Sequence, residues 1–197
     1  MLLLFNKWDM SGVKVEDGGL EKLINIKPVV VPKTYGRYST EFIHKKKMPI
    51  VERFMNKLMV PGHKGKKHKL TSGKCSGNTE SIMISMKKAF TEIENKTKQN
   101  PVQILVKAIE NSAPLEEVAA YRLGGIIARK AVVMGPGRRI DIALRHLTQG
   151  IYKADFQKKK QLYQVIAEEL IAASKADGNN HAVSERNRIE KEAEGAR

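Results

Sequence analysis

Apolar residues in this chain return at spacings of three and four over most of its length, and that rhythm breaks once. Ile50, Val51, Phe54, Met55, Leu58 and Met59 form one helical stripe, and Ile82, Met83, Met86, Ala89, Phe90 and Ile93 form a second. Val102, Leu105, Val106 and Ile109 make a third, Ile140, Ala143, Leu144, Leu147 and Ile151 a fourth, and Leu162, Val165, Ile166, Leu170 and Ala173 a fifth. Between Pro114 and Arg139 two short apolar runs, Val118–Arg122 and Ile126–Val132, flank Leu123-Gly124-Gly125, the pattern of a β-hairpin. A ribbon of about five residues a side is marginal in water unless something covers it. The expected fold is therefore mainly α: a bundle of about six helices with one protruding β-hairpin and an extended N-terminal arm.

Punctuation residues place the boundaries. Pro49 suits a helix start and Pro61-Gly62 a stop, Asn78 or Thr79 caps the next helix, and Asn100-Pro101 opens another. After the hairpin, Gly135-Pro136-Gly137-Arg138-Arg139 leads into a helix, and a long helix is expected from about Asp155 to Ser174. Gly178-Asn179-Asn180 breaks it, and Ser184 caps a last helix, Glu185–Glu194, polar nearly all round and so either docked on a partner or frayed. Residues 1–32 lack sustained periodicity and read as a wandering arm. The rest, 33–197, reads as a single domain with a basic insertion at 61–77 and the hairpin at 116–134.

Charge narrows the function. The chain of 197 residues carries a net +15, yet Met1–Ile26 holds three lysines against four acids and Ala176–Arg197 four basic residues against five acids. The excess lies in the middle, where self-repulsion is best tolerated with an anionic partner, and phosphate backbone is the commonest. It falls into four clusters. Lys33, Tyr35, Arg37, Tyr38, Lys45, Lys46 and Lys47 interleave cations with two rings able to stack on bases. Lys64, Lys66, Lys67 and Lys69 lie in a stretch from Arg53 to Thr79 that has no acidic residue. Arg122, Arg129 and Lys130 flank Gly124-Gly125 of the hairpin, and Arg138, Arg139 and Arg145 lie at the following helix, the first pair near its positive end.

Other chemistries lack their patterns. Gly135-Pro136-Gly137 is not a nucleotide phosphate loop, having neither GxxxxGK[ST] spacing nor a preceding strand–helix frame. His63, His68 and Cys75 lack a second cysteine and are crowded by lysines, so no metal is expected. Glu116-Glu117 and Glu168-Glu169 are neighbours whose side chains diverge, poor partners for acid–base work, and neither an enzyme nor a cofactor is expected. No stretch approaches the roughly 18 apolar residues of a membrane span. The lone Cys75 agrees with a reducing compartment, and a cytoplasmic location without membrane partners is the expectation. A helix-turn-helix reader of duplex DNA would need a recognition helix where Pro101–Asn111 is apolar and runs into a hairpin. A scaffold for acidic protein surfaces remains an alternative to a basic nucleic-acid-binding protein.

Three segments resemble a known family, ribosomal protein seven of the small subunit in its archaeal or eukaryote-like form. Phe54-Met55-Asn56-Lys57-Leu58-Met59-Val60 with Ser76–Ile82 is similar to the family's first helix and the start of its second. Ala108-Ile109-Glu110-Asn111 to Pro114, Tyr121-Arg122-Leu123-Gly124-Gly125 and Gly135-Pro136-Gly137-Arg138-Arg139 resemble its hairpin and trailing Arg pair, and Ala182–Gly195 resembles its C-terminal helix. The resemblance implies a ribosome-bound protein that binds the 3′ major domain of small-subunit rRNA, helps assemble the head, and places its hairpin near exit-site tRNA and the mRNA path among other small-subunit proteins. Tyr121 stands where the family often has a second basic residue, Glu185–Glu194 is less basic than usual, and Met1–Ile26 has no counterpart in it.

Overall fold

Three asparagines decide where three of the helices begin. In a computed structural model, which describes residues 2–38, 40–60, 74–75 and 77–197, the side chains of Asn78, Asn100 and Asn180 accept hydrogen bonds from the first free backbone N–H groups of Thr79–Thr97, Pro101–Ser112 and His181–Glu194. These are α3, α4 and α7. A short α1 (Gly18–Glu21) and a 3-10 helix (Phe42–Lys47) precede α2 (Ile50–Leu58). The hairpin strands β1 (Glu116–Leu123) and β2 (Ile126–Val133) lead into α5 (Pro136–Asp155), with a proline in its first turn, and then α6 (Leu162–Ser174).

The apolar stripes meet as their spacing demands. α5 lies against α2, α4, α6 and α7, while α6 also packs on α3 and α4. Phe54, Met86, Phe90, Leu105, Leu144, Ile151, Ile166 and Leu170 close a continuous core. The strands are longer than expected, eight residues each, in antiparallel register from Glu116↔Val133 to Leu123↔Ile126.

The N-terminal arm is extended but does not wander. Leu4, Trp8, Met10, Leu20 and Ile24 are buried, and Trp8 meets Phe90 edge-on at 5.5 Å. Polar side chains of α4 hold the backbone between them: Gln103 exchanges two bonds of 2.9 Å with the N–H and C=O of Lys14, and Glu110 Oε1 accepts from the N–H groups of Glu16 and Asp17. Gln103 and Glu110 lie seven residues apart, two turns on one face, a spacing that suits an extended strap.

Two helix starts differ from expectation. α5 continues to Asp155, and α6 starts only at Leu162. The ammonium of Lys74 donates to Asp155 Oδ1 at 2.9 Å and to the carbonyls of Lys158 and Lys160 at 2.7 Å each, folding the connection around one cation. Gln157 takes a left-handed φ of 56° inside it. The last helix starts at His181 rather than after Ser184, and it docks on its own bundle: Arg186 donates to the Asn111 carbonyl, and Glu190 accepts from Leu115 N–H.

Candidate nucleic-acid interface

Gly124 and Gly125 have φ of 54° and 98°, as a two-residue turn matched to strand twist requires. Directly paired residues share a face, so Arg122 opposite Ile127 and Ala120 opposite Arg129 point one way, while Tyr121 opposite Ala128 and Ala119 opposite Lys130 point the other. Both faces of the outer ribbon thus carry cations beside apolar or aromatic groups, and Ile126 and Ile127 are exposed at the tip. Among the described residues Arg122, Arg129 and Lys130 are exposed and have no ion-pair partner.

The root of the ribbon is held instead. Glu117 takes Nε and Nη2 of Arg138 at 2.6 Å each, and Glu116 takes Arg197 Nη2 at 2.7 and 2.8 Å, so the two adjacent carboxylates anchor opposite faces. Ala131 N–H adds a bond to the Ala196 carbonyl. These bonds fix the direction in which the cationic tip projects.

Down α5 from that root, Arg138, Asp141 and Arg145 follow at intervals of three and four on one face. Asp141 binds Arg53 at 3.1 Å and Lys45 at 3.4 Å, and Lys57 lies close enough to feel both Asp141 and Arg145. Four cations from three separate segments therefore share one patch with a single carboxylate. Burial holds the Lys57 ammonium below the ordinary lysine value, and the charges of Arg145, Lys45 and Arg53 add to that against the pull of Asp141. Such a patch retains excess positive potential that an oxyanion relieves.

Arg139 departs from its expected place. Its guanidinium is buried, donating to the Pro114 carbonyl at 3.1 Å and to Asp17 Oδ2 at 2.7 Å, because one step along a helix turns a side chain about 100° and carries it inward. Lys46, Lys47, Arg37 and Arg145 are exposed, Lys33 lies over the ring of exposed Tyr35, and Lys64, Lys66, Lys67 and Lys69 lie outside the described residues. The interface also draws in Arg53 and Lys57, which the sequence placed in a basic cluster without naming them as contacts, and Asp141, which sequence reading did not select. The spacing of Asp141 from Arg138 and Arg145 was the available signal.

Among the described residues no three His, Cys, Asp or Glu side chains converge as metal ligands, and no helix is long and apolar enough to cross a membrane. Burial, with Asp155 adding to it, pushes the Cys75 thiol up to about 11, so it remains protonated.

The family model for ribosomal protein S7p/S5e matches residues 20–197, which includes every basic element just described. The chain belongs to that family. It is 41% identical to the small ribosomal subunit protein uS7 of Nanoarchaeum equitans over 98% of both chains. It is 43% identical to that of Methanococcus maripaludis, again over 98% of each, and 39% identical to that of Cenarchaeum symbiosum over 100% of this chain and 97% of the relative. These matches extend through the N-terminal strap, so the segment ahead of residue 20 has counterparts in relatives even though the family model omits it.

Proposed function

We propose that this protein is a structural component of the small ribosomal subunit, working in the cytoplasm as part of that particle. It binds the 3′ major domain of small-subunit rRNA, helps that domain fold into the head, and sets its hairpin beside exit-site tRNA and the mRNA path, with other small-subunit proteins as neighbours. The carrying observation is the patch that Lys45, Arg53, Lys57 and Arg145 share with Asp141, below a hairpin whose tip bears Arg122, Arg129 and Lys130. A surface of that kind suits folded RNA. Phosphates meet lysines as point charges, arginines fork or stack, and the wide A-form minor groove is read by shape. The relatives' shared name supports the ribosomal setting.

Within that reading Lys33, Tyr35, Arg37, Lys45, Lys46, Lys47, Lys64, Lys66, Lys67, Lys69, Arg138 and Arg145 face rRNA, and Arg122, Gly124, Gly125, Arg129 and Lys130 face tRNA. Arg139 is assigned to hold the hairpin root. Sucrose-gradient fractionation of cell lysate tests the proposal. The protein is expected to comigrate with small subunits, and sedimentation apart from all ribosomal particles would refute it.

A further inference from the structure

Folding alone gives no reason for a tyrosine at position 35. The residue is 84% exposed, the most of any large hydrophobic among the described residues. Its backbone has φ 51°, in the left-handed region that bulky L-residues enter only against a steric penalty, and Gly36 follows at 76°. Asparagine or glycine would relieve that turn. The ring contact it makes among the described residues is with Lys33, whose Nζ lies 4.9 Å from the ring centre.

The turn is nevertheless held firmly. Glu52 on α2 is buried, and its Oε1 accepts from Thr34 N–H at 2.9 Å and Thr34 Oγ1 at 2.8 Å, while Arg37 N–H closes on the Thr34 carbonyl at 3.1 Å. Among the described residues the other oxygen of Glu52 is buried without a hydrogen-bond partner. A half-satisfied buried carboxylate is unfavourable, yet both of its bonds go to the residue immediately before Tyr35. Two local costs, at Tyr35 and at Glu52, thus hold one aromatic ring out in solvent beside Lys33, with exposed Arg37 two residues on.

We propose that Tyr35 is a stacking platform for an unpaired RNA base, with Lys33 and Arg37 on the flanking phosphates and Glu52 as the residue that positions the turn. This rests on the RNA-binding function proposed above. An unpaired base is the fitting ligand, because a base within a duplex already has both faces covered, whereas a splayed one stacks on an aromatic ring whatever its identity.

The test uses the full chain and a transcript of the 3′ major domain of an archaeal small-subunit rRNA, with affinity measured across a salt series. Tyr35→Phe keeps the ring and should bind within about two-fold of wild type, whereas Tyr35→Asn should bind roughly ten-fold more weakly at every salt concentration. The salt slope of Tyr35→Asn should match wild type, because no charge is removed, and its thermal midpoint should hold or rise as the turn relaxes. Glu52→Gln should weaken binding in the same sense, and adding Tyr35→Asn to it should cost less than Tyr35→Asn alone. Unchanged affinity of Tyr35→Asn overturns the stacking role and leaves RNA binding standing. A lower thermal midpoint overturns it too, since the ring would then be structural. Failure of the wild-type chain to bind removes the underlying function and this inference with it.

Discussion

Arg139 Nη2 donates to Asp17 Oδ2 at 2.7 Å across 122 residues of chain, while its Nε reaches the Pro114 carbonyl. One buried guanidinium therefore joins the N-terminal strap, the start of the hairpin and the first turn of α5. Burial opposes ionisation of Asp17, but the Arg139 bond and backbone N–H groups outweigh it and hold the carboxyl below its ordinary value. Arg139→Ala should cost about 3 kcal/mol, because it leaves Asp17 and the carbonyl without their donor. Arg139→Lys should recover little of that, since an ammonium cannot fork to both. Urea denaturation checks this, and an unaltered midpoint for Arg139→Ala would contradict it.

Lys74 does comparable work at the far end of α5. Its removal leaves Asp155, 1% exposed, without its cation and two carbonyls without their donor. Lys74→Met is expected to lower stability by about 3 kcal/mol, and pairing it with Asp155→Leu should restore part of that stability. If the double variant were no more stable than the single one, the clamp would be assigned wrongly.

The junction of α5 and α7 should respond to acid. The rings of His146 and His181 meet edge to face at 6.4 Å, among Arg145 and Lys153 of α5, Glu169 of α6, and Glu185 and Arg188 of α7. Burial, with the charges of His181 and Arg145 behind it, pushes His146 down from 6.5 to about 4 against the pull of Glu185, and burial lowers His181 as well. As pH falls below 6.5 the unfolded chain takes up a proton that the folded His146 refuses, so stability declines through that window and levels off near 4. Burial raises Glu169, which acts in the opposite sense, so the comparison needs a variant that removes only the imidazole. From pH 7 to pH 4 the thermal midpoint of wild type should drop about 5 °C further than that of His146→Gln. Equal drops would mean that the folded protein protonates His146 as readily as the unfolded chain does, which would contradict its lowered value.

At the hairpin root, Glu117→Ala releases Arg138 from a two-bond clamp. Being exposed, the pair contributes little to global stability, so amide exchange along Glu116–Leu123 should quicken about three-fold while the bundle's thermal midpoint stays put. Exchange measured by mass spectrometry decides the matter, and an unchanged rate would show that the clamp does not steady the ribbon.

Local chemistry made much of this legible. Asn100-Pro101 and Gly124-Gly125 carry their own backbone instructions, and the helical stripes named the core almost residue by residue. What escaped depended on partners distant in sequence. Leu4, Trp8 and Met10 show no periodicity, and the strap that carries them is held by Glu94 at Trp8 and by Gln103 and Glu110 farther along. The break after Asp155 is set by Lys74, 81 residues earlier in the chain. Arg138 and Arg139 look alike as a pair, and only the rotation of the helix sends one to Glu117 at the surface and the other to Asp17 inside.

The central claim, that cationic protrusions dock a helical bundle on folded rRNA, is tested most directly by the salt dependence of binding to the isolated 3′ major domain. Replacing Lys64, Lys66, Lys67 and Lys69 together by Ala should weaken binding and flatten the plot of log affinity against log salt by about 3, close to one for each phosphate no longer neutralised. A slope identical to wild type after all four lysines are gone would contradict the account.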